Sequence, residues 1–432
     1  MTDGPRKASL LVIFLTVFID LLGFGMVLPL LPIYAKDFAA QLALDEGHSR
    51  IGLLIGLLMS SFSIMQFVFA PLWGRLSDRI GRRPVLMVGL AGSVAFYTLF
   101  GIATVWKSLM LLFVSRIGAG IAGATISTAQ AYIADATTLD TRARGMALIG
   151  AAFGLGFTFG PLFGALALWS EEGKPGPGPG YAAAGLSAVA LALAYFALPE
   201  SLSARTSAEG ASGRSWFDGK SLADAVSVPA IGVLILAMFV CIFAFANFES
   251  TLSLMVNSPE VGYQLTPGQV SLLFAYIGLV LTIVQGAVVR QLSGRMSEGL
   301  LATFGAVVGV GGFLLLAQAV RHPTLAMLLV GLAVVVGGFA FITPSLNSLL
   351  SRWSDPRKQG GILGIGQSIA SLARIFGPMV GVPLSQDTAL AQRLGWKAAE
   401  LPLMLGAALM ALGLLLIVAA VRRGRDFQAA KH

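Results

Sequence analysis

Charge is what this 432-residue chain has least of. Only 12% of its residues are Asp, Glu, Lys or Arg, where a soluble domain carries about 25%. With 56% hydrophobic residues and a mean hydropathy of +0.82, that shortage excludes an ordinary soluble fold. Cysteine is nearly absent: Cys241 is the single copy and sits in an apolar run. No internal disulfide and no thiolate metal cluster can form. Histidine is scarce too. His48, His322 and His432 all fall in loops or the tail, which leaves no imidazole to titrate within a membrane. No P-loop, metal-ligand cluster or nucleophile–base spacing is present, so an enzyme is not expected. No cleavable signal peptide is evident either. Arg6 and Lys7 precede an apolar stretch from about Ala8 to Tyr34, which is too long for a signal h-region.

What the chain has in abundance is long apolar runs. We read twelve spans, at about 9–34, 51–73, 85–105, 108–134, 145–169, 181–198, 229–255, 267–289, 300–320, 324–350, 361–384 and 401–421. Each is long enough for a helix to cross a bilayer. The net charge of +8 comes from Lys and Arg lying almost wholly between these spans, a topology signal rather than a nucleic-acid patch. If the N-terminus is cytoplasmic, 20 of them fall inside and 7 outside, so both termini are expected inside. Pro199 to Asp224 is the longest polar stretch and lies halfway along. It reads as a cytoplasmic linker, 199–228, between an N-terminal bundle, 1–198, and a C-terminal bundle with a short tail, 229–432. Gly173-Lys-Pro-Gly-Pro-Gly-Pro-Gly180 reads as an external loop whose Gly and Pro exclude regular structure.

The halves repeat. Leu76-Ser-Asp-Arg79 aligns with Leu292-Ser-Gly-Arg295, Asp140-Thr-Arg142 with Asp355-Pro-Arg357, and Phe159-Gly-Pro-Leu-Phe-Gly164 with Phe376-Gly-Pro-Met-Val-Gly381, at offsets of 216, 215 and 217. Three matches in order at a nearly constant offset indicate a duplicated six-helix unit with the substrate site between the halves. The fold class is therefore all-α membrane protein, twelve helices in two pseudo-symmetric bundles. The copies are unequal at one point: Gly294 stands where the first half has Asp78.

Gly74-Arg-Leu-Ser-Asp-Arg-Ile-Gly-Arg-Arg-Pro84 is the most charged short run inside the apolar chain and reads as a tight polar turn. Together with Arg116-Ile-Gly-Ala-Gly120 and Gly150-Ala-Ala-Phe-Gly-Leu-Gly-Phe-Thr-Phe-Gly-Pro161, it resembles the signatures of the major facilitator superfamily. Asp20 in Ile-Asp-Leu-Leu-Gly-Phe-Gly, Met65-Gln66 and Ala131-Tyr-Ile-Ala-Asp135 are similar to the drug:proton antiporters of the tetracycline-efflux type. The resemblance covers the whole chain and implies the major facilitator fold and a conformational role for two motifs. One is the charged turn, through Gly74, Arg75, Asp78, Arg79, Gly81, Arg82 and Arg83. The other is the fifth span, through Gly156, Gly160, Pro161 and Gly164. Two departures stand out: Ala119 replaces the usual glutamine of the arginine motif, and the ninth span carries no acid.

Four charged residues lie deep within spans: Asp20, Arg116, Glu249 and Arg374. Charge at bilayer depth faces a partner or a wet cavity. Asp20 and Arg116 fall at similar depth, so a direct or water-bridged pair is expected, with Glu249 and Arg374 as a second pair. All four are candidates for proton coupling, because a carboxylate whose distance from an arginine changes can take up and release a proton. Candidate substrate contacts are Phe24, Gln66, Ser127, Gln130, Phe245, Asn247, Gln285, Thr343, Asn347, Gln367 and Ser371, with Met26, Met255 and Met379 able to flex around apolar compounds. In span 5, Gly150 and Gly154 join the three glycines above at spacings that allow close helix approach.

The expectation is a proton-driven antiporter that exports small amphipathic compounds, tetracycline-like or multidrug, by alternating access. It would need no cofactor beyond the proton gradient. Its partners would be substrate, protons and lipid, with no nucleic acid, and it would act as a monomer in a bacterial inner membrane. The alternatives are a proton-coupled transporter of a metabolite such as a sugar or organic anion, and a non-transporting receptor or scaffold on the same fold.

Overall fold

The computed structural model describes residues 4–41, 48–137, 139–168, 170–171, 174–201, 229–292, 295–353 and 359–429. Asp355, Arg357, Gly294 and the linker from 202 to 228 lie outside the described residues. Among the described residues, twelve helices are long and apolar enough to cross a membrane. We number them in chain order: span 1 Leu10–Ala39, span 2 Arg50–Ile80, span 3 Arg82–Val105, span 4 Leu109–Ala136, span 5 Leu148–Leu166 and span 6 Gly178–Ala197. Span 7 is Ala230–Asn257, span 8 Pro267–Leu292, span 9 Glu298–Arg321, span 10 Leu325–Trp353, span 11 Ile365–Leu384 and span 12 Glu400–Gly424.

The chain divides into two compact units. The first is Met1–Ala43, Ser61–Arg214 and Leu265–Gly278; the second is Leu44–Ser60, Ser215–Gln264 and Leu279–His432. Two segments thus leave the half in which the sequence places them, and close backbone packing accounts for both. In the second unit, Gly52 and Gly56 lie against the backbone of Pro383 and Pro378, where a Cβ would stand 2.7 Å and 2.6 Å from its nearest neighbour. Ser60 donates to the Ile375 carbonyl at 2.6 Å. In the first unit, a Cβ at Gly278 would stand 2.5 Å from Thr158 Cα.

Within each unit the packing pattern is the same. In the first unit, span 1 packs on spans 5 and 6, and span 3 on spans 4 and 6. In the second, span 7 packs on spans 11 and 12, and span 9 on spans 10 and 12. Adding six to each number of the first pattern gives the second, which is the geometry of a parallel repeat. The first core joins Ile13, Val17 and Leu21 of span 1 to Leu86, Leu90, Tyr132, Ala152 and Ala190. Small side chains there let backbones come close.

Four spans are irregular. Span 1 breaks into a turn at Leu28–Leu30, where Pro29 cannot donate and Pro32 opens the next helix from its first turn. Span 4 breaks at Ala124–Thr125. Span 8 ends in a π-helical stretch, Val284–Val289. Span 6 begins inside the Gly-Pro run, contrary to the expected featureless loop. Pro179 occupies its first turn, where a missing N–H costs nothing, and Ser170–Glu171 pairs with Lys174–Pro175 in a two-residue antiparallel ladder.

Candidate functional site

The charged run is not a turn of several residues. The helix carrying span 2 continues through Gly74 to Ile80, and the next begins at Arg82. Gly81 alone joins them, at φ 106°, a conformation that L side chains avoid. Gly74 is an ordinary helical residue with open space where a Cβ would go. Arg82 is 7% exposed. Its Nη1 pairs with Asp78 at 2.5 Å and donates to Ser77 Oγ at 2.6 Å, and its Nε pairs with Asp135 at 3.0 Å. A buried guanidinium needs such partners. Arg83 donates to the Tyr195 carbonyl and lies over the Tyr195 ring. Arg79 is exposed, and Arg75 is half-buried and engaged.

Sequence reading missed Glu200. Its two carboxylate oxygens accept the backbone N–H groups of Arg82 and Arg83 at 2.9 and 3.1 Å. Those are the orphan donors at the start of span 3, where a negative charge also meets the positive end of the helix dipole. A Cβ at Gly81 would stand 2.5 Å from Glu200 Oε2, so this glycine makes room for the carboxylate as well as the turn.

Deeper in the first unit, Asp20 is half-buried. Among the described residues it forms no direct ion pair with Arg116, one of the two forms expected. Ser187 Oγ donates to Asp20 Oδ1 at 3.1 Å, and Ser93 supplies a second side-chain hydrogen bond. Tyr97, one helical turn beyond Ser93, is buried and within electrostatic reach of both Asp20 and Arg116. Arg116 is 2% exposed, and among the described residues its Nε and Nη1 have no hydrogen-bond partner. Aromatic faces take their place: the guanidinium carbon lies 4.7 Å from the Phe62 ring centroid and 5.8 Å from that of Phe24. Such contacts stabilise a desolvated cation by about 2 kcal/mol, less than a charged hydrogen-bond set would. The sequence offers one signal for Ser187, the one serine in span 6, but nothing that places it beside Asp20.

In the second unit, Glu249 is half-buried and Arg374 exposed. They are within electrostatic reach of each other without closing to an ion pair. Phe245, one turn before Glu249, stacks on Phe339 with centroids 3.9 Å apart. Thr343 and Asn347 follow Phe339 at four-residue spacing and are half-buried, as are Gln130 and Ser371, whereas Gln285 and Gln367 are exposed. Gln285 lies in the π-helical stretch of span 8.

Three other polar candidates are occupied by structure. Asn247 is fully buried, and its Nδ2 donates to the Pro402 carbonyl at 2.7 Å. Its side chain also fills the space beside Gly381, so it ties span 7 to spans 11 and 12, while its Oδ1 has no hydrogen-bond partner among the described residues. Gln66 Nε2 donates to the Gly123 carbonyl at 3.3 Å, and Ser127 Oγ to the Ala70 and Ala124 carbonyls. Trp73 Nε1 donates to the Ile121 carbonyl at 2.7 Å. Donors from span 2 thus reach the Ile121 and Gly123 carbonyls just before the break in span 4, and Ser127 of span 4 donates in return to the Ala70 carbonyl of span 2. Met26 and Met255 are buried in packing, and Met379 is half-buried.

Of the five span 5 glycines, three make the close approach. Cβ atoms at Gly156, Gly160 and Gly164 would stand 2.8, 2.7 and 2.9 Å from atoms of Leu21, Gly25 and Met26 on span 1. Gly150 and Gly154 meet nothing within 4 Å. Pro161 sits inside the helix at this contact.

A transporter built this way has relatives. The family model described as Major Facilitator Superfamily matches residues 13–378. The chain is 33% identical over 396 residues to a tetracycline resistance protein, class G, of Vibrio anguillarum, covering 90% of this chain and 93% of that one. It is 31% identical over 416 residues to major facilitator superfamily domain-containing protein 10 of Mus musculus, covering 87% and 88%. The crystal structure of the human organic anion transporter MFSD10 superposes with a TM-score of 0.68 at 26% identity, covering 96% of this chain and 100% of that one. Twelve spans, the repeated packing and these matches make this chain a multi-pass membrane transporter, not an enzyme, and a member of the major facilitator superfamily.

Proposed function

We propose that this transporter is a proton-coupled antiporter that exports small amphipathic compounds by alternating access. The observation that carries the reading is Asp20. Its carboxylate is held by the neutral hydroxyls of Ser93 and Ser187 rather than by a cation. Such a group can gain a proton without breaking an ion pair, whereas a paired one must first lose its partner. Tyr97 lies within reach of both Asp20 and Arg116, so movement of either span changes the field at the acid. Glu249 with Arg374 supplies a second acid in the other unit, and the proton gradient is the only driving force required. The tetracycline resistance relatives support the export reading. In this reading the protein is a monomer in a bacterial inner membrane, with both termini cytoplasmic.

The test is pH-driven export in proteoliposomes. Asp20→Asn is expected to abolish uphill export while substrate binding persists. Export at the wild-type rate would remove Asp20 from the mechanism.

A second reading is export of organic anions. Two observations favour it: the unpartnered nitrogens of Arg116 and the organic anion transporter among the similar structures. A substrate carboxylate would then complete the hydrogen bonding of that guanidinium. A substrate panel with a pH readout separates the two readings. Anions that lose affinity in Arg116→Gln, while cationic and neutral compounds are not exported at all, would favour the second.

A further inference from the structure

A surface groove in the second unit takes no part in the transport reading. Its volume is ≈ 610 Å³. Val308, Gly311, Leu315 and Arg321 line it along one face of span 9, with Val334 of span 10 and Met404 of span 12 beside them. From Val308 to Arg321 the helix rises about 20 Å, close to the thickness of one leaflet with its headgroups in a bilayer about 40–45 Å thick. The groove therefore runs from mid-membrane to the end of span 9 opposite the C-terminal end of span 12. Gly311 gives it an open floor, since a Cβ there would meet nothing within 4 Å.

The groove is apolar except at its mouth, where the charges are arranged with one excess cation. Glu400 is 1% exposed, and both its oxygens are engaged. Oε2 pairs with Arg321 Nε at 2.7 Å and Oε1 accepts the Lys397 N–H at 3.1 Å. Lys397 Nζ donates to the Val320 carbonyl at 2.9 Å, beside Arg321. Among the described residues, the terminal nitrogens of Arg321 have no protein partner, and its side chain is 42% exposed. Two cations thus stand against one carboxylate, with a guanidinium fork left to face outward. A guanidinium fork matches phosphate oxygens.

We propose that this groove binds one acyl chain of an anionic phospholipid from the leaflet opposite the C-terminal end of span 12, with the lipid phosphate on Arg321 and Lys397. The experiment uses the full-length protein purified in detergent. Phosphatidylglycerol, phosphatidylcholine of the same chain length and glycerol 3-phosphate are each titrated, with native mass spectrometry and thermal unfolding as readouts. Phosphatidylglycerol is expected to be retained as one molecule per chain and to raise the melting temperature more than phosphatidylcholine does. Arg321→Gln is expected to weaken that binding about fivefold, the typical effect of one basic residue near a charged headgroup. That variant also leaves Glu400 unpaired, so Gly311→Leu is the second probe: it fills the floor, touches no charge and has space to fold. Loss of phosphatidylglycerol binding in Gly311→Leu supports the proposal. Wild-type binding in Gly311→Leu, equal retention of phosphatidylcholine, or competition by glycerol 3-phosphate alone would overturn it.

Discussion

Asp20, Gly81 and Glu200 show how much rests on single side chains in a chain with so little charge. Gly81 carries a positive φ and leaves room for Glu200. Gly81→Ala is therefore expected to cost about 1–2 kcal/mol, read as a lower melting temperature. Glu200→Ala is expected to cost about 1 kcal/mol, as loss of a helix cap does. The double variant should cost less than the sum, because both changes strike one contact. At Tyr97 the expected outcome is different in kind. Tyr97→Phe keeps the ring and its packing but removes the hydroxyl that lies within electrostatic reach of both the acid and the guanidinium. It is expected to shift the pH dependence of export with substrate affinity retained, and an unchanged pH profile would place Tyr97 outside the coupling. The acid itself was legible in the sequence, because a charge deep in an apolar run is conspicuous. Its partners were not. Ser93 and Ser187 sit on two other spans, and an all-apolar helix carries no periodic signal for which face turns inward.

At the level of elements, the spans were legible and their irregularities only partly so. Runs of apolar residues set the twelve helices, but the one-residue join at Gly81 depends on Glu200, more than a hundred residues away. The carbonyls just before the break in span 4 likewise meet donors from span 2. Trp73→Phe is expected to cost about 1 kcal/mol, since the Ile121 carbonyl loses its indole donor and keeps the long 3.4 Å bond from the Ala124 N–H; thermal unfolding in detergent checks this. In span 5 the glycine spacing was legible but not its phase. Gly160→Val drives a side chain into the Gly25 backbone and is expected to abolish export or assembly. Gly150→Ala meets open space and is expected to leave export intact, measured in the same vesicles. A common effect at both positions would show that helix propensity, not the contact with span 1, sets the requirement.

For the whole molecule, the duplication seen in three short sequence matches reappears as one packing pattern used twice. Its chemistry is not duplicated. The first unit sets Asp20 among hydroxyls and Arg116 among aromatic rings, while the second sets Glu249 within reach of an exposed Arg374. The cluster of Asp78, Arg82 and Asp135 belongs to the first unit, and the residue matching Asp78 in the repeat is Gly294. Asp78→Asn is accordingly expected to slow cycling, measured as turnover at saturating substrate. The single-residue join at Gly81 has a practical consequence for anyone handling the protein. Arg75, Arg79 and Arg82 offer trypsin three target bonds within eight residues, with Pro84 protecting the bond after Arg83. A protease needs a stretch of chain it can draw out straight, and here helix gives way to helix across one glycine. In opened vesicles, this arginine cluster should therefore outlast sparser sites, and the fragments recovered should carry spans 2 and 3 still joined.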